Sequence, residues 1–275
     1  MTSTIDFYTG HPISTGIIET RLRAEHGGLE GLTPEDLFAH DQDHYGGLGA
    51  NDALAGCAGL APGLEVVDFC AGLGGPARYF AHRYGVRVTG VELTPARAEG
   101  AERLTALVGL TDRVRVLQGD ATSSPLPDGC ADVVLSQEAL LHIPDKPAVL
   151  AEAFRLLRPG GRLAFTDWIA HSAPADEDMA LLQEGIAVAG LWSIPDYRAG
   201  LAGAGFAVES ATDLSADWAV ILRERLAMFN RMRAEAEAAG TPPGADAFYR
   251  AYVRFVALVN EGVLGGARFG AVKPG

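Results

Sequence analysis

The chain has 275 residues and a mass of 28.8 kDa, enough for one large domain with a sizeable buried core. Hydrophobic residues make up 48% and charged residues 21%, which excludes wholesale disorder. Lys+Arg 22 against Asp+Glu 35 leaves a net charge of -13, an acidic surface that opposes phosphate backbones and anionic lipid, so no nucleic-acid or membrane partner is expected.

Residues 1 to about 50 read as irregular, with short helices at 15–25 and 33–39 and a polar, aromatic cluster at His40–Gly47. From residue 64 the pattern changes. Leu64–Phe69 is a short buried strand that runs into a glycine-rich turn, and Pro76 stands where a first helical turn tolerates proline, ahead of helix 77–84. Strand 86–91, helix 95–108, strand 113–117, strand 131–136 and helix 146–157 follow, and the turn Arg158-Pro159-Gly160-Gly161 leads into strand 162–167. This alternation predicts a parallel sheet with right-handed crossovers. Beyond 170 it lapses into inserted helices at 176–190 and 195–204, a strand at 206–211, and long helices at 217–239 and 245–261. The stripe Leu222, Leu226, Phe229 and Met232 reads most simply as core. Arg268–Val272 closes the sheet as a short antiparallel strand.

The strongest chemical signal is Asp68-Phe69-Cys70-Ala71-Gly72-Leu73-Gly74-Gly75, between a strand and a helix. Open α/β sheets bind ligands at the carboxyl ends of their strands, and glycines there let backbone approach the ligand. Two acids stand at matched places. Glu92 ends the second strand, where a carboxylate can accept both hydroxyls of a ribose. Asp120, in Gly119-Asp120-Ala121, follows the third and can accept from an adenine amino group. A dinucleotide fingerprint also fits loosely, through Gly72, Gly74 and Ala77. Asp68 decides between the two ligands. A carboxylate there opposes a pyrophosphate and suits a ligand that carries an ammonium and a sulfonium.

Residues 64–168 resemble the core of the class I S-adenosylmethionine-dependent methyltransferases. Asp68–Gly75 resembles the family's first motif, Glu92 with Leu93 its ribose site, Asp120-Ala121 its adenine motif, and Gln137-Glu138 the residues after strand four. One departure is Cys70, where the usual D-x-G-x-G loop has its first glycine. The resemblance implies S-adenosyl-L-methionine as cofactor, S-adenosyl-L-homocysteine as product, and Asp68, Gly72, Gly74, Glu92, Leu93, Asp120, Ala121, Gln137 and Tyr45 as the residues that hold it.

His40–Gly47 resembles the N-terminal lid of small-molecule methyltransferases of the sarcosine/dimethylglycine, phosphoethanolamine and sugar O-methyltransferase type, which implies Tyr45 over the methionine end. Methyl transfer is an in-line displacement, so holding the acceptor on the S–CH3 axis supplies much of the rate. An alcohol needs a base beside it, whereas an amine need only be bound deprotonated. The sugar O-methyltransferases place a histidine where this chain has Leu141, leaving His142, His44 and Asp167. The expected catalytic residues are His142, Asp167 and Tyr45, and the expected acceptor contacts are His44, Glu138, His142, Asp167 and Trp192.

The expectation is therefore an α/β, Rossmann-like, doubly wound and mostly parallel seven-stranded sheet. An N-terminal helical lid (1–60) and helices inserted in the 61–275 domain (about 170–200 and 217–261) would cover its cleft. The expected activity is methyl transfer to a small-molecule acceptor, first an amine nitrogen, otherwise an oxygen of a specialised metabolite or a carbon of a prenyl diphosphate. An NAD(P)-dependent oxidoreductase is the alternative from another class. The opening MTSTIDFYTG lacks a secretory pattern, and Cys57, Cys70 and Cys130 lack metal-ligand spacing, so a cytoplasmic protein without a metal is expected.

Overall fold

The structure, a computed structural model, describes residues 4–9, 13–238 and 246–275. Helices α1 (Thr4–Thr9), α2 (Thr15–His26), α3 (Pro34–Leu37) and α4 (Gly47–Ala58) precede the sheet. The alternating part follows as β1 (Glu65–Phe69), α5 (Gly75–Tyr84), β2 (Arg87–Glu92), α6 (Pro95–Leu107), β3 (Val114–Gln118), β4 (Ala131–Gln137), α7 (Lys146–Leu156) and β5 (Leu157–Ala170). Then come α8 (Asp176–Ile186), α9 (Ile194–Gly203), β6 (Ala207–Asp213), α10 (Ser215–Ala238), α11 (Asp246–Asn260) and β7 (Leu264–Val272).

The sheet order is β3-β2-β1-β4-β5-β7-β6, with β7 antiparallel to both neighbours and the remaining pairs parallel. The expected doubly wound, seven-stranded fold is present. Strand order reverses between β1 and β4, which opens a crevice at their carboxyl ends. The local chemistry is what the chain direction requires. Pro76 and Pro95 occupy first turns of α5 and α6, and Asp145 caps α7 by accepting from Ala148 N at 3.0 Å.

The segment between α3 and α4 is fastened to α5 by a buried ion pair. Arg78 on α5 is fully buried; its Nη2 donates to Asp41 Oδ2 at 2.9 Å and to Leu73 O at 2.7 Å, and its Nη1 donates to Ala101 O and Thr105 Oγ1. Removing one partner of such a pair costs about 3–5 kcal/mol, because the other charge stays buried.

Several expected boundaries move. Helix α8 stops at Ile186 rather than 190, because Ala187 turns left-handed at φ 56° and ends it. Strand β5 runs from Leu157 to Ala170, longer at both ends than the expected 162–167. Strand β7 begins at Leu264, not Arg268. Its Gly265-Gly266 pair lacks the side chains that mark a strand, yet a Cβ on Gly266 would overlap the Trp218 ring. Among the described residues, no helix is long and apolar enough to cross a membrane.

Candidate active site

The crevice at the β1/β4 switch point opens into a cavity of about 550 Å³, a size suited to small-molecule ligands. Its nucleotide half is built from the ends of β1, β2 and β3. Asp68 is 4% exposed, and burial, reinforced by the charge of Glu92, pushes its carboxyl up to about 7. Glu92 Oε2 accepts from Gly72 N at 2.9 Å and Oε1 from Thr94 N at 2.8 Å, so this carboxylate fixes the glycine loop and faces the cavity too. Leu93, Asp120 and Ala121 line the same half, and Asp120 Oδ1 accepts from Thr122 N and Oγ1 in a tight turn.

The departure at Cys70 has a physical meaning. Its φ is 59°, the left-handed region where glycine is the ordinary residue, so the chain holds a side chain in the conformation the loop demands. Burial pushes the thiol well above its usual range, which makes it inert.

Gln137 ends β4. Both its amide atoms are buried without a partner among the described residues, and Arg97 Nη1 is in the same state; both residues line the cavity. Buried polar groups are costly to leave unmade, so these atoms suit a polar ligand in the cavity. Together with Asp68 and Glu92 they suit the ammonium, the ribose and the base of S-adenosylmethionine.

Not every expected cofactor residue reaches the cavity. Gly72 lines it, but Gly74 lies behind the loop, where its φ of 75° starts α5 and a Cβ would stand 2.9 Å from Arg78 Nη1. Gly75 lines the cavity instead, and a Cβ there would overlap the Asp41 carbonyl of the lid.

The other half is walled by α1, by His44 and Tyr45, and by α8, α10 and α11. Tyr45 lies on the cavity wall, 7% exposed. Its ring stacks on Trp168 at 6.4 Å and meets Trp218 edge-on at 4.9 Å, and Arg225 covers it at 4.7 Å. Glu138, at φ 54°, accepts from Tyr45 N with both oxygens at 3.0 Å, and burial raises its carboxyl well above the usual range. His44 lines the cavity, but its ring is tied between Tyr45 O and Gln42 Oε1, and burial lowers its affinity for a proton.

His142 also lines the cavity. Its Nδ1 is 3.0 Å from the Ala187 carbonyl, which can only accept, so Nδ1 carries the proton. Nε2 then accepts from the Tyr8 hydroxyl at 2.9 Å. Tyr8, on α1, was not anticipated from the sequence. It comes from the far end of the chain and also lies under Arg97, 4.7 Å from its ring.

Two expected acceptor residues are elsewhere. Asp167 is fully buried and off the cavity wall. Its Oδ1 accepts from Leu141 N at 3.2 Å, its Oδ2 from the Tyr197 hydroxyl, and burial pushes its carboxyl up to about 6 against the pull of Lys146. Strand β5 points it beneath the His142 loop rather than into the cleft. Trp192 packs edge-on against Tyr197 at 5.2 Å and fills the space over Gly200, which makes it core; Trp168 takes the wall position. The α10 stripe also divides: Leu222 is core, while Phe229 and Met232 face the cavity. Among the described residues there is no group of three or more His, Cys, Asp or Glu placed to hold a metal ion.

Comparison with known proteins agrees with this geometry. The profile of the methyltransferase domain family matches residues 67–165. The 27-O-demethylrifamycin SV methyltransferase of Amycolatopsis mediterranei is 38% identical over 167 residues, 60% of this chain and 61% of that protein. The sarcosine/dimethylglycine N-methyltransferase of Halorhodospira halochloris is 40% identical over 108 residues, 39% of each chain. The chain thus spans about three fifths or less of the curated relatives it matches. A crystal structure of a putative sarcosine dimethylglycine methyltransferase from Galdieria sulphuraria superposes with a TM-score of 0.74 at 21% identity, over 94% of this chain and 98% of that one. Residues 67–165 thus match the methyltransferase domain family, and the fold around them is the one seen in the Galdieria sulphuraria structure.

Proposed function

We propose that the protein transfers the methyl group of S-adenosylmethionine to a small-molecule acceptor whose reacting atom gives up a proton. The observation that carries this reading is the junction of two halves in one cavity: Asp68, Glu92 and Gln137 on one side, and the Tyr8–His142 pair on the other. When bound, S-adenosylmethionine supplies a methyl group activated by its sulfonium. The chain's own residues do the rest. Asp68 receives the ammonium, Glu92 the ribose hydroxyls, and Gln137 satisfies its buried amide on the ligand. Tyr45, fixed by Glu138 and Arg225, closes over the methionine end and excludes water.

His142 is the proton acceptor in this reading. Its Nε2 lone pair is held toward the cavity by the Nδ1–Ala187 bond, and Tyr8 keeps it there until an acceptor hydrogen replaces the hydroxyl. An amine nitrogen is the first expectation. The aromatic wall of Tyr45, Trp168 and Tyr252 favours the cationic product that an amine gives. A hydroxyl is the second reading, favoured by the same His142, because an alcohol cannot react without a base. Residues 1–60 act as the lid and 61–275 as the catalytic domain. The small-molecule partner and a cytoplasmic setting belong to the same reading, and the net charge of -13 supports it against nucleic acid.

The test is single-turnover methyl transfer by His142→Ala. We expect a loss of roughly 10²–10⁴-fold with cofactor affinity unchanged. A loss smaller than tenfold across the pH range would remove His142 from the chemistry.

A further inference from the structure

We infer that the acceptor has a bulky apolar body and no anionic head group, and that α10 and α11 recognise that body. The inference rests on the methyltransferase reading and deepens it. The acceptor half of the cavity is walled by Trp168, Met228, Phe229, Met232, Phe248 and Tyr252. The last five of these sit on two packed helices, α10 and α11. Phe229 meets Tyr252 edge-on at 5.1 Å, and Phe248 stacks on Tyr252 at 5.8 Å, so the wall is a continuous aromatic surface. Met228 and Met232 stay 41% and 55% exposed at its rim. Unbranched thioethers adapt to varied apolar shapes, which suits a rim that admits a large ring system.

The charges argue the same way. Arg225 is the one cation that α10 and α11 bring to the cavity among the described residues; Arg21 and Arg97 come from α2 and α6, and Arg97 Nη2 is paired with Asp43 Oδ2 at 3.1 Å. Arg225 is already engaged, with its guanidinium over Tyr45 and Nη2 donating to His44 O at 2.8 Å. A carboxylate, phosphate or diphosphate on the acceptor would need several charged donors to offset its dehydration. This wall offers it apolar side chains instead. An apolar body gains from the same surface, and its single proton-bearing heteroatom need only reach His142.

The experiment uses the full chain, with 2-naphthol as apolar probe and sarcosine and phosphoethanolamine as small charged probes, in calorimetry with and without saturating S-adenosylhomocysteine. We expect saturable one-to-one binding of 2-naphthol and none of the charged probes. Phe229→Ala and Met232→Asp should weaken 2-naphthol by roughly tenfold to a hundredfold, as expected when an apolar contact is lost, with S-adenosylhomocysteine affinity unchanged as the sign of an intact fold. Tighter binding of sarcosine or phosphoethanolamine than of 2-naphthol would overturn the inference, as would 2-naphthol binding indifferent to both substitutions. Failure of S-adenosylhomocysteine to bind would instead strike the methyltransferase reading, while the 2-naphthol titration without it still reports on the wall.

Discussion

Asp68→Asn probes the electrostatic logic of the cleft. Burial and the neighbouring Glu92 raise the Asp68 carboxyl to about 7, so the ligand-free protein holds it largely protonated below that pH. A ligand with an ammonium needs the carboxylate. Binding below pH 7 must therefore expel a proton, and affinity should fall by about tenfold for each pH unit below 7 and level off above about 8. In Asp68→Asn that dependence should vanish, and affinity at pH 8 should be roughly tenfold to a hundredfold weaker through loss of a charged hydrogen bond. Stability should move oppositely. A carboxyl whose folded pKa is raised contributes stability that is present at acid pH and lost as the pH rises through 7, about 4 kcal/mol in all for this group. The asparagine variant should then melt higher than the parent at pH 8 and lose that advantage toward pH 4. The assays are calorimetric titration with S-adenosylhomocysteine from pH 5.5 to 8.5 and thermal melts over the same range, extended to pH 4. A parent protein whose affinity ignores pH, or a variant that binds as tightly at pH 8, would refute the reasoning.

Three further outcomes are expected. Glu92→Gln weakens the acceptor of both Gly72 N and Thr94 N, so stability should fall by roughly 1–3 kcal/mol and S-adenosylhomocysteine affinity by tenfold or more; unchanged melting and binding together would contradict the assignment. Gly75→Ala drives a methyl into the Asp41 carbonyl and should break the Arg78–Asp41 pair, exposing residues 30–45 to limited proteolysis; a digestion pattern like the parent's would speak against this fastening of the lid. Asp167→Asn should lower kcat by disturbing the loop before His142 and leave the acceptor KM within about threefold, whereas a KM raised tenfold would return Asp167 to the acceptor.

The order of elements from β1 to β5 was legible because hydrophobic runs, prolines at first turns and the glycine-rich loop all agree locally. Asp68, Glu92, Leu93, Asp120, Ala121 and Gln137 line the cavity because strand ends in this fold converge at one edge of the sheet. What the sequence hid depends on distant partners. Gly74 and Gly75 look alike in a string; only the position of Arg78 and Asp41 shows that the first starts a helix and the second gives way to the lid. Asp167 was expected in the cleft from its strand position, but the Tyr197 hydroxyl on α9 holds it below. Tyr8 carried no signal, because its partner His142 lies 134 residues away.

The central claim is that this cleft binds S-adenosylmethionine rather than a nicotinamide dinucleotide. Side-by-side calorimetric titration of the purified chain with S-adenosylhomocysteine and NADH at pH 8 tests it most directly. Saturable one-to-one binding of S-adenosylhomocysteine, with no binding of NADH, is the predicted result. Binding of NADH without S-adenosylhomocysteine would contradict it.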